Sequence, residues 1–251
     1  MQRGESSRAN AGKSTRLRPL DKACLGVVVP AFNEARTIDE LLRRVLVQPS
    51  VCEIVVVDDA SSDGTGDLLR SWPQRDPRVR VLEHPVNRGK GAAIRTALAA
   101  SKAPVVIVQD ADLEYSPEDY VPMLELILTH QADVVYGSRF SMKDKLSRSS
   151  WHTFGNRCLT WCSNLASGLK LTDEATCYKM FRREVLEQIK VEENGFGFCP
   201  EVTAKISKLG VRIREVPVSY HPRTVAEGKK IRIKDGWNAL KCVIKYNFFF
   251  H

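Results

Sequence analysis

Three short runs carry the strongest constraint on this chain's fold. They are Leu25-Gly26-Val27-Val28-Val29, Ile54-Val55-Val56-Val57 and Val105-Val106-Ile107-Val108. A strand with one wet face alternates apolar and polar residues, and these runs do not alternate. They read as strands buried on both faces, the condition of a parallel sheet covered by helices. The segments between them have helical spacing. Ile38, Leu41, Leu42, Val45 and Leu46 repeat at that period, and Thr37 and Glu40 have capping-box spacing. Asn87-Arg88-Gly89-Lys90-Gly91 opens a helix through Ala100, and Pro117 after Ser116 begins a helix over 117–129. Val79 to Leu82, Asp133 to Tyr136 and Val211 to Val218 read as further strands, and 151–168 as a helix. Alternating strands and helices predict an α/β fold with a mostly parallel sheet flanked by helices.

The second and third runs end in acid, Asp58-Asp59 and Gln109-Asp110-Ala111-Asp112. Open α/β sheets bind ligands at the carboxyl ends of their strands. Carboxylates one residue apart at such an edge suit Mg²⁺ or Mn²⁺, hard cations that bridge carboxylate to phosphate. The pattern therefore points to a metal-held diphosphate, and equally describes a polar turn after a strand.

Charge is unevenly spread along the 251 residues. Residues 1–22 carry six basic and two acidic side chains, and residues 223–251 carry seven and two. The body between them is close to neutral. Nucleic-acid binding normally needs a basic face with stacking aromatics or a known motif, and neither is present. Basic ends on a neutral body fit an anionic membrane surface better. Residues 1–22 read as a disordered basic tail, 23–234 as the catalytic domain and 235–251 as an amphipathic segment. In that segment Trp237, Leu240, Val243, Ile244 and Phe248 are expected on one face lying in a membrane interface, with Lys241 and Lys245 at its edge. No run approaches the ~18 apolar residues of a transmembrane helix. The amino terminus has no apolar signal core. Seven irregularly spaced cysteines suggest free thiols in a reducing compartment, so the expected location is cytoplasmic, peripheral on a membrane face.

Five ordered motifs bear on identity. Val28-Val29-Pro30-Ala31-Phe32-Asn33-Glu34, Val56 through Thr65 and Gln109 through Asp112 resemble family 2 glycosyltransferases of the GT-A fold. Gly137-Ser138-Arg139 and Glu215-Val216-Pro217-Val218 resemble the polyprenol-phosphate branch, which includes dolichol-phosphate mannose and glucose synthases. The resemblance covers about residues 25–235. It implies an inverting, metal-dependent transfer of a hexose from a GDP- or UDP-sugar to a polyprenyl phosphate. Pro30, Phe32, Glu34, Val57, Asp59, Asp110 and Ala111 would surround the nucleotide sugar. Asp112 would be the principal metal ligand, with Asp110 and Glu114 beside it; Glu114 stands where mannose synthases carry Gln. Arg139, Arg148, Arg223 and Lys229 would grip the acceptor phosphate. Asp173, in a segment that departs from the mannose synthase pattern, would border the acceptor. Many relatives carry transmembrane helices after this domain, which leaves room for a separate membrane-protein partner. The alternatives are a family 2 enzyme acting on a sugar hydroxyl, with Asp173 or Glu174 as general base, and a non-catalytic nucleotide-sugar or membrane-binding module.

Overall fold

The structure, a computed structural model, describes residues 24–140, 151–223 and 233–249. Arg148 and Lys229, and the 1–22 tail, lie outside these residues. Seven strands form one sheet: β1 (Leu25–Ala31), β2 (Val51–Asp58), β3 (Val79–Glu83), β4 (Val105–Val108), β5 (Val134–Ser138), β6 (Lys179–Arg182) and β7 (Ile213–Pro217). Their order is β3-β2-β1-β4-β6-β5-β7. All pairings are parallel except those of β6, which runs antiparallel between β4 and β5. The three apolar runs are β1, β2 and β4, and their Val and Ile side chains are buried as expected.

Helices cover both faces: α1 (Ile38–Leu46), α2 (Thr65–Arg70), α3 (Trp72–Arg75), α4 (Lys90–Ala100), α5 (Tyr120–Leu128), α6 (Trp151–Ser167), α7 (Arg183–Leu186), α8 (Phe198–Ser207) and α9 (Ile233–Ile244). α1 buries Ile38, Leu41, Leu42 and Val45, the stripe its spacing predicts. Its expected capping box does not form. Thr37 Oγ1 instead donates across the sheet edge to the Ala111 carbonyl at 2.9 Å. A tertiary acceptor has displaced the local cap.

Two further expectations are corrected. Cys24 and Cys52 are joined as a disulfide with Cα atoms 5.4 Å apart, while the other five cysteines are free. β1 and β2 pair in parallel with Leu25 opposite Val51, which brings residues 28 apart in sequence into bonding range. The cysteine argument for a reducing compartment therefore lapses. The α9 segment also does not present one outward apolar face. Val243 is 2% exposed and packs inward with Ala239, Cys242 and Tyr246, whereas Trp237, Ile244 and Phe248 point outward. Residues 239, 243 and 246 fall on one side of a 3.6-residue helix, and that side rests on α6 and α8. Lys245 likewise pairs with Glu193 at 3.1 Å, tying the helix end to the domain. Among the described residues no helix is long and apolar enough to cross a membrane.

Candidate active site

The carboxyl ends of β1, β2 and β4 converge on one edge, and their loops are stitched together before any ligand arrives. Asn33 N–H donates to Ser61 Oγ at 2.9 Å, Glu34 N–H to Thr65 Oγ1 at 2.8 Å, and Ser62 N–H to Asn33 Oδ1 at 2.8 Å. Asn33 and Ala60 hold φ of +51° and +61°. Non-glycine residues seldom adopt that region, and such strain concentrates at functional sites.

Asp59 is almost fully buried and organises the next loop. Its carboxylate accepts from Arg88 N–H at 2.9 Å and Gly89 N–H at 2.7 Å, and lies 2.6 Å from His84 Nδ1. Both oxygens are thus occupied, so Asp59 shapes the 84–89 loop at the carboxyl end of β2. Val57 is wholly inside the core, paired in the sheet with Pro30 and Leu82. Pro30 and Phe32 remain partly exposed at the edge.

That loop delivers a residue the motif reading passed over. Gly89, at φ +94°, lies so close to the Asn194 carbonyl that a Cβ would sit 2.5 Å from it. The close approach seats the start of α4 against residues 193–195 and aims Lys90 at Asp110, Nζ to Oδ1 2.6 Å. Cys177 Sγ also donates to Asp110 Oδ1, at 3.0 Å. Burial alone would raise the Asp110 carboxyl, but Lys90 and Cys177 bring it below its ordinary value.

Asp112 is in the opposite situation. Burial, then the neighbouring Asp110 and Glu114 carboxylates, push it up to about 7 against the pull of Arg223. Arg223 Nη2 donates to Asp112 Oδ2 at 2.7 Å, and its guanidinium also meets Glu34 at 2.9 and 3.2 Å. Its backbone N–H donates to Glu114 Oε1 at 2.8 Å, and Tyr220 OH donates to Glu114 Oε2 at 2.8 Å. A guanidinium therefore stands among oxygen donors of the kind a hard divalent cation takes. Among the described residues no three His, Cys, Asp or Glu side chains form a ready metal cage. Asp110, turned to Lys90, and Glu114, turned to Tyr220, are not gathered with Asp112 around one point. A hard divalent cation held at this loop would take Asp112 as a protein oxygen ligand and draw its other ligands from elsewhere.

Arg139 follows β5 on the far side of β6. Its Nε and Nη2 grip Asp173 at 2.6 and 2.7 Å, and its N–H donates to the same carboxylate at 3.0 Å. Asp173 is fully buried, and its own N–H is held by Glu215 at 3.0 Å. Asp173 therefore fixes Arg139, and Glu215 of the Glu215-Val216-Pro217-Val218 motif fixes Asp173. The guanidinium also lies 5.2 Å from the Tyr220 ring. Lys90, Asp110, Glu114 and Arg139 line one cleft, which runs to Asn156 and Leu159 of α6 and Gly236 and Ala239 of α9.

The chain matches the glycosyl transferase family 2 profile over residues 26–190, and it belongs to that family. It is 33% identical over 213 residues to the undecaprenyl-phosphate mannosyltransferase of Micrococcus luteus, covering 80% of this chain and 85% of that one. It is 28% identical over 214 residues to the dodecaprenyl-phosphate galacturonate synthase of Rhizobium johnstonii, covering 82% and 61%. Its fold is similar to Mycobacterium tuberculosis glucosyl-3-phosphoglycerate synthase, solved with Mn²⁺, UDP and glucosyl-3-phosphoglycerate. The TM-score is 0.69 at 21% identity, over 89% of this chain and 80% of that one. The expected GT-A architecture is thus the one observed.

Proposed function

We propose that this chain transfers a hexose from a GDP- or UDP-sugar to a polyprenyl phosphate with inversion at the anomeric carbon. The observation that carries the reading is the Arg139–Asp173 clamp. A hydroxyl acceptor is commonly activated by a general base, and of the two carboxylates expected in that role Glu174 is wholly buried. Asp173 has both oxygens committed to Arg139 and is closed to solvent. A phosphate acceptor is already ionised and requires no base, and a guanidinium fixed by a buried partner suits phosphate oxygens. In the reaction a phosphate oxygen of the acceptor forms the new bond to the anomeric carbon. The bond from that carbon to the diphosphate oxygen breaks, and the nucleoside diphosphate leaves with its electrons.

Mg²⁺ or Mn²⁺ bound at Asp112 would offset charge on the departing diphosphate. Lys90 stands at the same end and supplies a fixed positive charge. Glu34, Phe32 and Pro30 border the nucleotide. The mannosyl and galacturonosyl relatives act on long-chain polyprenyl phosphates by name, which supports the acceptor class.

The acceptor also requires access to a bilayer. Phe154, Trp161 and Leu165 of α6, Trp237 and Ile244 of α9, and Phe248 in the turn beyond α9 are exposed. On α6 the three fall seven and eleven residues along one outward stripe, and on α9 Trp237 and Ile244 are seven apart, the spacing of an interfacial helix. The cleft opens beside these helices, so a peripheral mode of membrane docking accompanies the proposed chemistry.

The test is a screen of purified protein with Mn²⁺, GDP- and UDP-hexoses, and a short polyprenyl phosphate beside the matching alcohol. Turnover of the phosphate and none of the alcohol is expected. Transfer to the alcohol, or to a soluble sugar hydroxyl, overturns the reading.

A further inference from the structure

Glu174 is a wholly buried acid that the chemistry above does not use. Its surroundings hold it rigidly. Its N–H donates to Thr160 Oγ1 of α6 at 3.1 Å, and its carbonyl accepts from Lys179 Nζ at 2.6 Å. Its Oε1 accepts from Thr203 Oγ1 of α8 at 3.1 Å. Its Oε2 is buried and has no hydrogen-bond partner. Leaving a buried carboxyl oxygen unsatisfied is costly, and native structures rarely do so without a role for the atom.

The residue lines the cleft described above, together with Ala175, Cys177, Phe198, Cys199 and Pro200. Apart from Glu174 and the two thiols this stretch is apolar. It adjoins the diphosphate end directly, because Cys177 Sγ reaches Asp110 at 3.0 Å and Cys199 Sγ reaches the Thr176 carbonyl at 3.5 Å. A group attached to the diphosphate would therefore enter this stretch next. Such walls, with the Glu174 carboxyl buried behind them, suit a sugar ring.

We propose that Glu174 is a specificity residue, whose unpartnered Oε2 accepts a hydrogen bond from one hydroxyl of the hexose being transferred. The inference rests on the donor being a nucleotide hexose, as argued under Proposed function. Chemistry selects the hydroxyl over the acceptor. A carboxyl oxygen repels phosphate, whereas a hydroxyl brings the donor hydrogen that Oε2 lacks. The motif reading could not single out this atom, since Glu174 lies in the segment where the chain departs from the mannose synthase pattern.

The test compares the wild type with Glu174→Ala and Glu174→Gln. Calorimetry measures binding of the nucleoside diphosphate, the preferred nucleotide hexose and its single-deoxy analogues. Transfer to a short polyprenyl phosphate gives kcat/KM for the same donors. In the wild type, one deoxy position is expected to cost about 10- to 100-fold, the range for a hydrogen bond to a buried or charged group. Glu174→Ala is expected to lower kcat/KM for the parent sugar by a similar factor and to abolish the penalty at that one position. Nucleoside diphosphate affinity should not move. Glu174→Gln keeps the shape and an acceptor oxygen, and should retain the deoxy penalty in part. A wild type with no deoxy penalty overturns the proposal. So does a Glu174→Ala protein that loses rate equally for all donors while keeping their ranking, or one that loses nucleoside diphosphate binding. If donors bind but polyprenyl phosphate is not glycosylated, only the acceptor reading falls, and calorimetry still judges Glu174. If the wild type binds no nucleotide hexose, both fall together.

Discussion

Arg223 donates to Asp112 across 2.7 Å, placing a guanidinium among the carboxylates of the acidic motif. Glu34 and Glu114 complete the ring around it. The positive charge holds together acids that would otherwise repel one another, and it occupies the ground that a cation and a diphosphate need. Arg223 was expected at the acceptor phosphate. To reach either phosphate it must first release Asp112 and Glu34.

That competition is measurable. Arg223→Ala leaves three buried or half-buried acids without their shared partner, so its melting temperature should fall in EDTA. Breaking buried pairs commonly costs about 3–5 kcal/mol, and less at a partly exposed site such as this. Mn²⁺ should then raise the melting temperature of the variant more than that of the wild type, because no guanidinium has to be displaced. An equal Mn²⁺ shift in both proteins would remove Arg223 from the cation's ground.

Asp112→Ala should reduce turnover by about 10²-fold or more, the scale for losing electrostatic stabilisation of a leaving group. The fold should persist, since Asp112 sits on the loop beyond β4 rather than in the sheet. EDTA should depress the wild type to a similar level, and Mn²⁺ should restore the wild type alone. Near-normal turnover by the variant in EDTA would refute the metal role of this carboxylate.

Arg139→Ala should raise KM for the polyprenyl phosphate well above any change in KM for the nucleotide sugar. A charge-assisted contact to phosphate is worth about 1.5–3 kcal/mol. Asp173→Asn should act in the same direction through Arg139, with the pH profile of kcat unchanged, because Asp173 moves no proton. Loss of a basic limb from that profile in Asp173→Asn would make it the base and revive the hydroxyl acceptor.

Glu53 tests the scaffold rather than the site. Its carboxylate accepts from Ser101 Oγ at 2.6 Å, Lys102 N–H at 2.8 Å and Ala103 N–H at 3.2 Å, and pairs with Arg80 at 2.9 Å. Burial works to raise its pKa, but these partners bring it below the ordinary 4.5. A depressed folded-state value means the stabilisation is complete above about pH 4.5 and is lost as pH falls through the lower folded value. Glu53→Gln should therefore be less stable by about 1–3 kcal/mol at pH 7, with the gap closing in acid. A constant gap from pH 7 to pH 3 would contradict this.

What the sequence disclosed and what it hid follow from range. β1, β2 and β4 were legible because burial on both faces leaves unbroken apolar runs, and Asp110 and Asp112 because they end such a run. β6 was not legible: Lys179 to Arg182 carries a buried Lys and a buried Arg, and only its antiparallel place between β4 and β5 makes it a strand. Lys90 was quoted as part of a helix start, yet its target, Asp110, lies twenty residues on in a neighbouring loop. The clamp between Arg139 and Asp173 spans 34 residues, and the grip of Arg223 on Asp112 spans 111. No local pattern encodes such pairings. The capping box at Thr37 failed for the same reason, since a carbonyl 74 residues away made the better partner.

The last prediction concerns the bilayer. Removing residues 236–251 would not isolate membrane binding, because Val243 and Tyr246 are buried against the domain and Lys208 holds the Tyr246 carbonyl at 2.8 Å. Outward substitutions avoid that confusion. Trp161 and Trp237 are 64% and 65% exposed, one on α6 and one on α9, so Trp161→Ser with Trp237→Ser should leave the stability within about 1 kcal/mol of wild type. Burying two such rings in the headgroup boundary gives substantial apolar stabilisation, at roughly 25 cal/mol per Å² removed from water. The double variant should lose co-sedimentation with anionic liposomes and activity on long-chain acceptors presented in them. It should keep its kcat/KM on a short, soluble polyprenyl phosphate, because neither Trp lines the cleft. Unchanged sedimentation would mean that these two stripes are not the docking surface. A fall in short-chain activity at constant stability would place them in catalysis instead.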